Sequence, residues 1–257
     1  MEEKLKAFER LLNVMDDLRE KCPWDKKQTI DSLRYLTIEE TYELSDAIID
    51  KDMKGIKEEL GDLLLHMVFY AKIGEEQKEF DIADVLNTVC EKLIFRHPHI
   101  YGDVKVENEE DVKRNWEQLK LKEGKKSVLE GVPRSLPAMV KAHRLQEKVK
   151  QVGFEWDEAS GAFEKLKEEI DELEEAQLAK NQEEMEKEIG DVLFSVINYA
   201  RYLKIDADKA LELTNKKFIA RFMWMETEAL QRKKLLQNMT LAEMDVLWTE
   251  AKKSLAT

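Results

Sequence analysis

Two groups of carboxylates recur along this chain with the same spacing. In the first copy, residues 39–43 read Glu-Glu-Thr-Tyr-Glu and residues 59–62 read Glu-Leu-Gly-Asp. The second copy has Glu-Glu-Ile-Asp-Glu at 168–172 and Glu-Ile-Gly-Asp at 188–191. Side chains three or four residues apart lie on one face of a helix. Each group therefore predicts a row of acids on one helical face.

The repetition extends beyond the acids. Residues 39–72 match residues 168–201 without a gap at 12 of 34 positions, where common residue frequencies would give roughly 2. In a chain this acidic, a single EExxE segment is typical of a solvated helix surface. Because the spacing is preserved in both copies, we favour a duplicated unit with a site in each.

Two helices must position each pair of groups. Short polar segments at 50–55 and 179–184 are typical of turns between helices. An antiparallel hairpin around such a turn brings four carboxylates to one level in each copy. The segments 60–70 and 189–199 are mostly apolar, so part of each site is expected to be buried. Like charges at a buried site repel unless a cation lies between them.

The expected cation is a hard one. Oxygen-only ligands that leave room for water and phosphates favour Mg²⁺, with Mn²⁺ as a possibility. No His or Cys belongs to the cluster in both copies, which disfavours zinc, since His66 is replaced by Ser195. A di-iron bundle requires Glu-x-x-His, and the chain has none.

Composition narrows the class of protein. The 257 residues carry a formal charge of −13 and include 9 Gly, 4 Pro and 2 Cys. Few turn-forming residues and apolar positions at helical spacing predict an all-α fold. The acid excess argues against a nucleic-acid polymer as partner. With neither a signal peptide nor a long apolar stretch evident, we expect a cytoplasmic protein without a membrane partner.

The chain is predicted to contain two tandem helical-bundle repeats of four or five helices each. The first spans residues 1–122 and the second spans 138–257. The linker between them, 123–137, contains two of the nine glycines and two of the four prolines.

Further motifs match a known family. They are Cys22-Pro-Trp-Asp25, Leu36-Thr-Ile-Glu-Glu-Thr-Tyr-Glu43, Glu58-Glu-Leu-Gly-Asp62, Arg96-His-Pro-His99, Val132-Pro-Arg-Ser-Leu-Pro-Ala138 and Val152-Gly-Phe-Glu-Trp-Asp157. Over nearly its whole length the chain resembles the tandem-repeat MazG nucleoside triphosphate pyrophosphohydrolases. The resemblance implies an all-α NTP pyrophosphatase bundle that is a homodimer. It also implies magnesium-dependent hydrolysis of nucleoside triphosphates between the α and β phosphates, to monophosphate and pyrophosphate.

The resemblance also assigns roles to residues. The implied metal ligands are Glu169, Glu172, Glu188 and Asp191, and equivalently Glu40, Glu43, Glu59 and Asp62. Glu168 and Glu39 are the candidates for activating the attacking water, and Glu168 is also expected to contact substrate. The remaining expected substrate contacts are Lys165, Lys217, Arg221 and Trp248, with Lys92 and Arg96 at the corresponding place in the first repeat.

Two positions distinguish the repeats or depart from the family. Lys165 has Leu36 as its counterpart, so we favour the second repeat for turnover. A lysine that the family carries one turn before the second carboxylate group is Glu184 here.

Two other functions remain open at this stage. One is a non-catalytic helical protein that binds metal or nucleotide. The other is an enzyme of the same superfamily that is specific for one substrate, such as dUTP or phosphoribosyl-ATP.

Overall fold

The computed structural model describes residues 1–108, 111–112, 115–116, 119 and 127–255. Within these ranges all regular secondary structure is helical, which confirms the predicted all-α class. The chain divides into two compact units, Met1–Leu119 and Lys120–Thr257. Residues 127–137 of the predicted linker form turns, whereas 123–126 lie outside the described residues. The predicted boundaries 1–122, 123–137 and 138–257 stay predictions.

The first unit contains five described α-helices and a short 3₁₀ turn at Asp25–Lys27. The helices are α1 (Glu2–Lys21), α2 (Ile30–Asp50), α3 (Met53–Glu76), α4 (Ile82–Arg96) and the single-turn α5 (Pro98–Tyr101).

The second unit also contains five described α-helices, with a 3₁₀ turn at Leu236–Asn238. They are α6 (Ala138–Lys150), α7 (Ala159–Leu178), α8 (Gln182–Tyr202), α9 (Ala207–Gln231) and α10 (Leu241–Ser254). None of the described helices is both long and apolar enough to cross a membrane.

A helical hairpin of α2 and α3 carries the first set of carboxylates. Helix α2 begins with a capping box, in which Thr29 and Ser32 each accept a hydrogen bond from the other's backbone N–H. It ends at Lys51, whose φ of 57° lies in the left-handed region. Asp52 then caps α3 by accepting from the Lys54 N–H.

The hairpin of α7 and α8 repeats this turn. Lys180, the counterpart of Lys51, has a φ of 53°. Asn181 follows it and caps α8 by accepting from the Glu184 N–H. A left-handed residue followed by a capping side chain ends one helix and starts the next within two residues.

Each unit has its own apolar core. Met15 of α1 and Leu33 of α2 are buried with Val68, Phe69 and Ile73 of α3. In the second unit, α9 and α10 pack through four buried residues, Met225, Ala229, Leu247 and Ala251. The first core holds α2 and α3, which carry the first set of carboxylates, and the second holds α9, which carries the predicted phosphate-binding residues Lys217 and Arg221.

Arg19 links three segments of the first unit. Its guanidinium makes a two-pronged contact with the Glu76 carboxylate and donates to the carbonyl oxygens of Asp25 and Gln28. The Arg19 side chain is 11% exposed. It therefore ties the end of α1 to the end of α3 and to the turn that precedes α2.

Apolar side chains also line the solvent side of α3 and α8. Leu60, Leu64 and Met67 are exposed, and so are their counterparts Ile189, Leu193 and Val196. Gly61 and Gly190 lie beside them inside the helices, and a Cβ added at either glycine would meet no atom within 4 Å. Nothing inside the described chain thus explains a glycine at these two helical positions.

Candidate active site

Three carboxylates converge in the first hairpin. Glu40 and Glu43 of α2 and Glu59 of α3 each place one oxygen within 4.8 Å of the other two. Two ligands of one Mg²⁺ lie at most about 4.2 Å apart, since Mg–O distances are about 2.1 Å. A small side-chain adjustment therefore suffices for this donor set to hold the ion.

Electrostatics in this triad favour either a proton or a cation. Burial, followed by the charges of Asp62 and Glu43, raises the pKa of Glu40 above its ordinary value. Burial, followed by the charges of Glu43 and Glu40, raises the pKa of Glu59. Ligand oxygens of Glu40 and Glu59 lie within 4.8 Å of each other, so ionisation of both brings two negative charges close together.

The second hairpin forms the equivalent triad. Glu169 and Glu172 of α7 and Glu188 of α8 have ligand oxygens mutually within 4.8 Å. Glu169 is only 6% exposed. Burial, followed by the charges of Glu169 and Glu188, raises the pKa of Glu172. Repulsion between like charges is thus common to both sites.

A lysine distinguishes the second site. Lys165 lies one turn before the triad on α7. Its Nζ is 2.6 Å from Glu168 Oε1 and 3.0 Å from Glu169 Oε1. At the corresponding place the first unit has Leu36, which packs against its core. An internal ammonium therefore partly neutralises the second carboxylate site.

The other predicted ligands lie at the edge of each triad. Asp62 and Asp191 are exposed and fall outside the two groups of mutually close oxygens. Asp62 is still near enough for its charge to raise the pKa of Glu40. Glu39, the predicted base of the first site, is exposed on α2 beside Glu40.

His66 and Ser195 occupy equivalent buried positions one turn beyond Asp62 and Asp191. Burial lowers the pKa of His66, which favours the neutral imidazole. Its Nδ1 has no hydrogen-bond partner among the described residues. The His66 side chain is on α3 but does not belong to the group of close ligand atoms, which consists of Glu40, Glu43 and Glu59.

The predicted substrate contacts of the second unit meet between α9 and α10. Two of them do so directly, since the Arg221 guanidinium lies 5.6 Å from the ring centroid of Trp248, whereas Lys165 and Glu168 lie on α7. Phe218 contacts the same indole, with ring centroids 5.2 Å apart. Lys217 is exposed on α9, one turn before Arg221. Among the described residues, neither Lys217 nor Arg221 forms an ion pair with a carboxylate, so both are available to an anionic ligand.

The first unit arranges its equivalents differently. Arg96 lies in the last turn of α4 and Lys92 one turn before it, and Arg96 is the more buried of the two. Trp116 contacts the edge of His97 at a centroid distance of 4.8 Å, and His97 Nδ1 lies 2.6 Å from the Leu93 carbonyl oxygen. Histidine thus occupies the place beside the indole that phenylalanine and arginine occupy in the second unit.

Comparison with known families identifies the repeated unit. The model of the MazG nucleotide pyrophosphohydrolase domain matches the chain twice, at residues 28–101 and 159–225. The chain belongs to the MazG family. The two matches include every predicted metal ligand as well as Lys165, Lys217 and Arg221, whereas Trp248 lies beyond the second MazG match.

Curated MazG relatives match over almost their whole length. A nucleoside triphosphate pyrophosphohydrolase/pyrophosphatase MazG of Thermotoga maritima is 42% identical, and the alignment covers 95% of each chain. A nucleoside triphosphate pyrophosphohydrolase of Escherichia coli is 38% identical over 97% of this chain and 98% of its own. Among solved structures, a mazG-related protein of Thermotoga maritima is 27% identical and covers 44% of this chain and 98% of its own, with a TM-score of 0.40.

The MazG motifs did not reveal every contact at the site. The Lys165 ion pairs could have been anticipated, because Glu168 and Glu169 follow at spacings of three and four residues. The distance between the Glu40 and Glu59 oxygens had no such signal, since it depends on how closely α2 and α3 pack. The contact of Phe218 with Trp248 likewise depends on the packing of α9 against α10.

Proposed function

We propose that this chain is a magnesium-dependent nucleoside triphosphate pyrophosphohydrolase that releases monophosphate and pyrophosphate. The main support is that each of the two MazG segments contains one carboxylate triad whose ligand oxygens lie within 4.8 Å of one another. The enzyme class is that of the family to which the chain belongs. Oxygen-only donors support Mg²⁺, with Mn²⁺ as a substitute.

In this proposal the carboxylates of each hairpin hold the metal. They are Glu169, Glu172, Glu188 and Asp191 in the second site and Glu40, Glu43, Glu59 and Asp62 in the first. A bound divalent cation supplies positive charge against the oxygens of the polyphosphate. Burial of Glu169 supports its role as the fixed ligand, because its position is set by packing within α7.

The remaining residues bind and orient the substrate. Lys165, Lys217 and Arg221 contact the phosphates, and Trp248 stacks on the base. Glu168 accepts the proton of the attacking water, and Glu39 has the same role in the first site. The bond between the α phosphorus and the bridging oxygen breaks as the new P–O bond forms, and pyrophosphate leaves. Lys92 and Arg96 bind phosphates in the first site.

We further propose that the enzyme is a homodimer and is located in the cytoplasm. The exposed apolar stripes of α3 and α8 support dimerisation, since contiguous apolar surface on a monomer usually marks an interface. The open space around Gly61 and Gly190 supports close approach of a partner helix.

The activity is tested with a panel of NTPs and dNTPs in the presence of Mg²⁺, followed by product analysis. We expect monophosphate and pyrophosphate. Release of orthophosphate, or no turnover of any nucleotide, would contradict the proposal. A single strongly preferred nucleotide would identify a substrate-specific enzyme instead.

Single carboxamide variants test which repeat turns over substrate. We expect Glu172→Gln to lower kcat at least about a hundredfold, and Glu43→Gln to have a smaller effect. Glu174→Gln is the matched control, because Glu174 is an exposed acid on the same helix and its counterpart is Ser45. Loss of activity in Glu43→Gln alone would show that the first repeat is the catalytic one.

A further inference from the structure

We propose that Lys165 is a tethered counter-ion of the second carboxylate site, which a divalent cation displaces toward the nucleotide phosphates. The second site then binds metal less tightly than it would with a neutral residue at position 165. This inference rests on the proposed function, because it concerns how that same site acquires its metal.

The Lys165 ammonium lies where a bound cation would contact the second carboxylate site. Its Nζ contacts both Glu168 and Glu169, and the Glu169 oxygen it contacts belongs to the most buried ligand of the triad. The first site has no such internal charge, since Leu36 replaces the lysine there. The Lys165 ammonium donates a hydrogen bond to Glu168, and a lysine side chain carries a positive charge at neutral pH.

Electrostatics make the two cations compete. An ammonium in contact with Glu169 and a divalent ion among the same carboxylates repel each other at a separation of a few ångströms. The Lys165 side chain is 34% exposed, so one side of its flexible stem faces solvent. Rotation of this stem moves the ammonium away from Glu169 without disturbing α7.

Displacement also produces a second binding group. A lysine released from the carboxylates, one turn from the metal ligands, lies within reach of a phosphate that contacts the metal. Binding of the metal and retention of the polyphosphate are therefore coupled through one side chain in the second site, and not in the first.

The test measures metal binding without nucleotide. The probe is Mn²⁺, and free Mn²⁺ is followed by its electron paramagnetic resonance signal at pH 7.5 and constant ionic strength. The full chain carries Glu40→Gln and Glu43→Gln to silence the first site. Lys165→Leu and Lys165→Gln remove the charge, whereas Lys165→Arg retains it. Lys167→Leu is the matched control, because Lys167 lies on the same helix but pairs with Glu164 at 2.9 Å.

We expect Lys165→Leu and Lys165→Gln each to tighten Mn²⁺ binding about tenfold. Lys165→Arg and Lys167→Leu should stay within about twofold of the parent chain. Unchanged or weaker Mn²⁺ binding in both neutral variants overturns the inference, as does equal tightening in Lys167→Leu. The nucleotide panel is measured separately on the unmodified chain, so failure of turnover contradicts the proposed function while the Mn²⁺ comparison still decides this inference.

Discussion

Burial, followed by neighbouring negative charge, raises the pKa of the Glu40 and Glu59 carboxyls. A carboxyl with a higher pKa in the fold than in the unfolded chain makes the fold bind more protons. The contribution is fully present below the ordinary glutamate pKa and is lost as pH rises through the raised value. Without metal, this site therefore lowers the free energy of unfolding progressively above that ordinary pKa.

The first prediction concerns pH and metal together. Between pH 4.5 and pH 7.5, the increase in Tm caused by Mg²⁺ should grow with pH, because the ion replaces protons that the carboxyls have lost. Thermal unfolding with and without Mg²⁺ at several pH values measures this. A chain with Glu40→Gln and Glu59→Gln should lose the part of the pH dependence that comes from the first site, and an Mg²⁺ effect independent of pH in the unmodified chain would contradict the prediction.

Spacing predicted which carboxylates share a helix face. It did not predict which of them come close enough to share a metal ion. Glu40, Glu43 and Glu59 were expected to meet, and the structure brings them within 4.8 Å. Asp62 and Asp191 have the same spacing, yet they lie outside the close groups. Spacing fixes the face of a helix on which a side chain lies, whereas its distance from a neighbour depends on side-chain length and helix packing.

Among the elements, α1 and α3 depend on one buried arginine. Arg19 connects them through Glu76 and the two carbonyl groups of the 25–28 turn. We predict that Arg19→Met lowers the free energy of unfolding by about 1 to 2 kcal/mol, because it leaves the partly buried carbonyl oxygens of Asp25 and Gln28 without this donor. Chemical denaturation measures this.

Glu76→Gln serves as the comparison. It keeps a hydrogen-bond acceptor but removes the charge, so its cost should be smaller, about 1 kcal/mol. Arg19 lowers the pKa of Glu76, so this pair contributes stability above the ordinary glutamate pKa and loses it as pH falls. A loss no greater in Arg19→Met than in Glu76→Gln would show that the arginine contacts the turn too weakly to matter.

The two hairpin turns give a second prediction at this scale. Asp52→Ala and Asn181→Ala each remove the side chain that caps the following helix. Each should lower the free energy of unfolding by about 1 kcal/mol, measured by denaturation of the full chain. No loss in either variant would mean that water satisfies these N–H groups equally well.

The helical elements were largely predictable because their apolar periodicity and polar turns agree. What the sequence did not predict is the conformation of Lys51 and Lys180, both of which have a positive φ. Lysine is not a residue that favours the left-handed region. The requirement comes from the partner helices, which must turn back within two residues in the first hairpin and three in the second to pack against each other.

At the scale of the whole molecule, Gly190→Ala is expected to have opposite effects in a monomer and in a homodimer. In an uncovered helix, Gly190→Ala should raise stability by about 1 kcal/mol, since alanine is the better helix former and has open space there. In the proposed homodimer, the added methyl should instead weaken association by holding the partner helix away. We predict a shift toward monomer, measured by light scattering over a concentration series. Leu178→Ala is the control, because Leu178 is exposed at the end of α7, away from this stripe. Full dimer retention in Gly190→Ala would contradict a partner helix at this position.

The turn at Lys51 and Asp52 also sets the phase of one helix against the other. One residue added there would rotate α3 by about 100° and advance it by about 1.5 Å relative to α2. Glu59 would then point away from Glu40 and Glu43, although every side chain of the site would still be present. The number of residues between the two carboxylate groups is therefore as much a determinant of metal binding as the carboxylates themselves, and the second hairpin keeps that number.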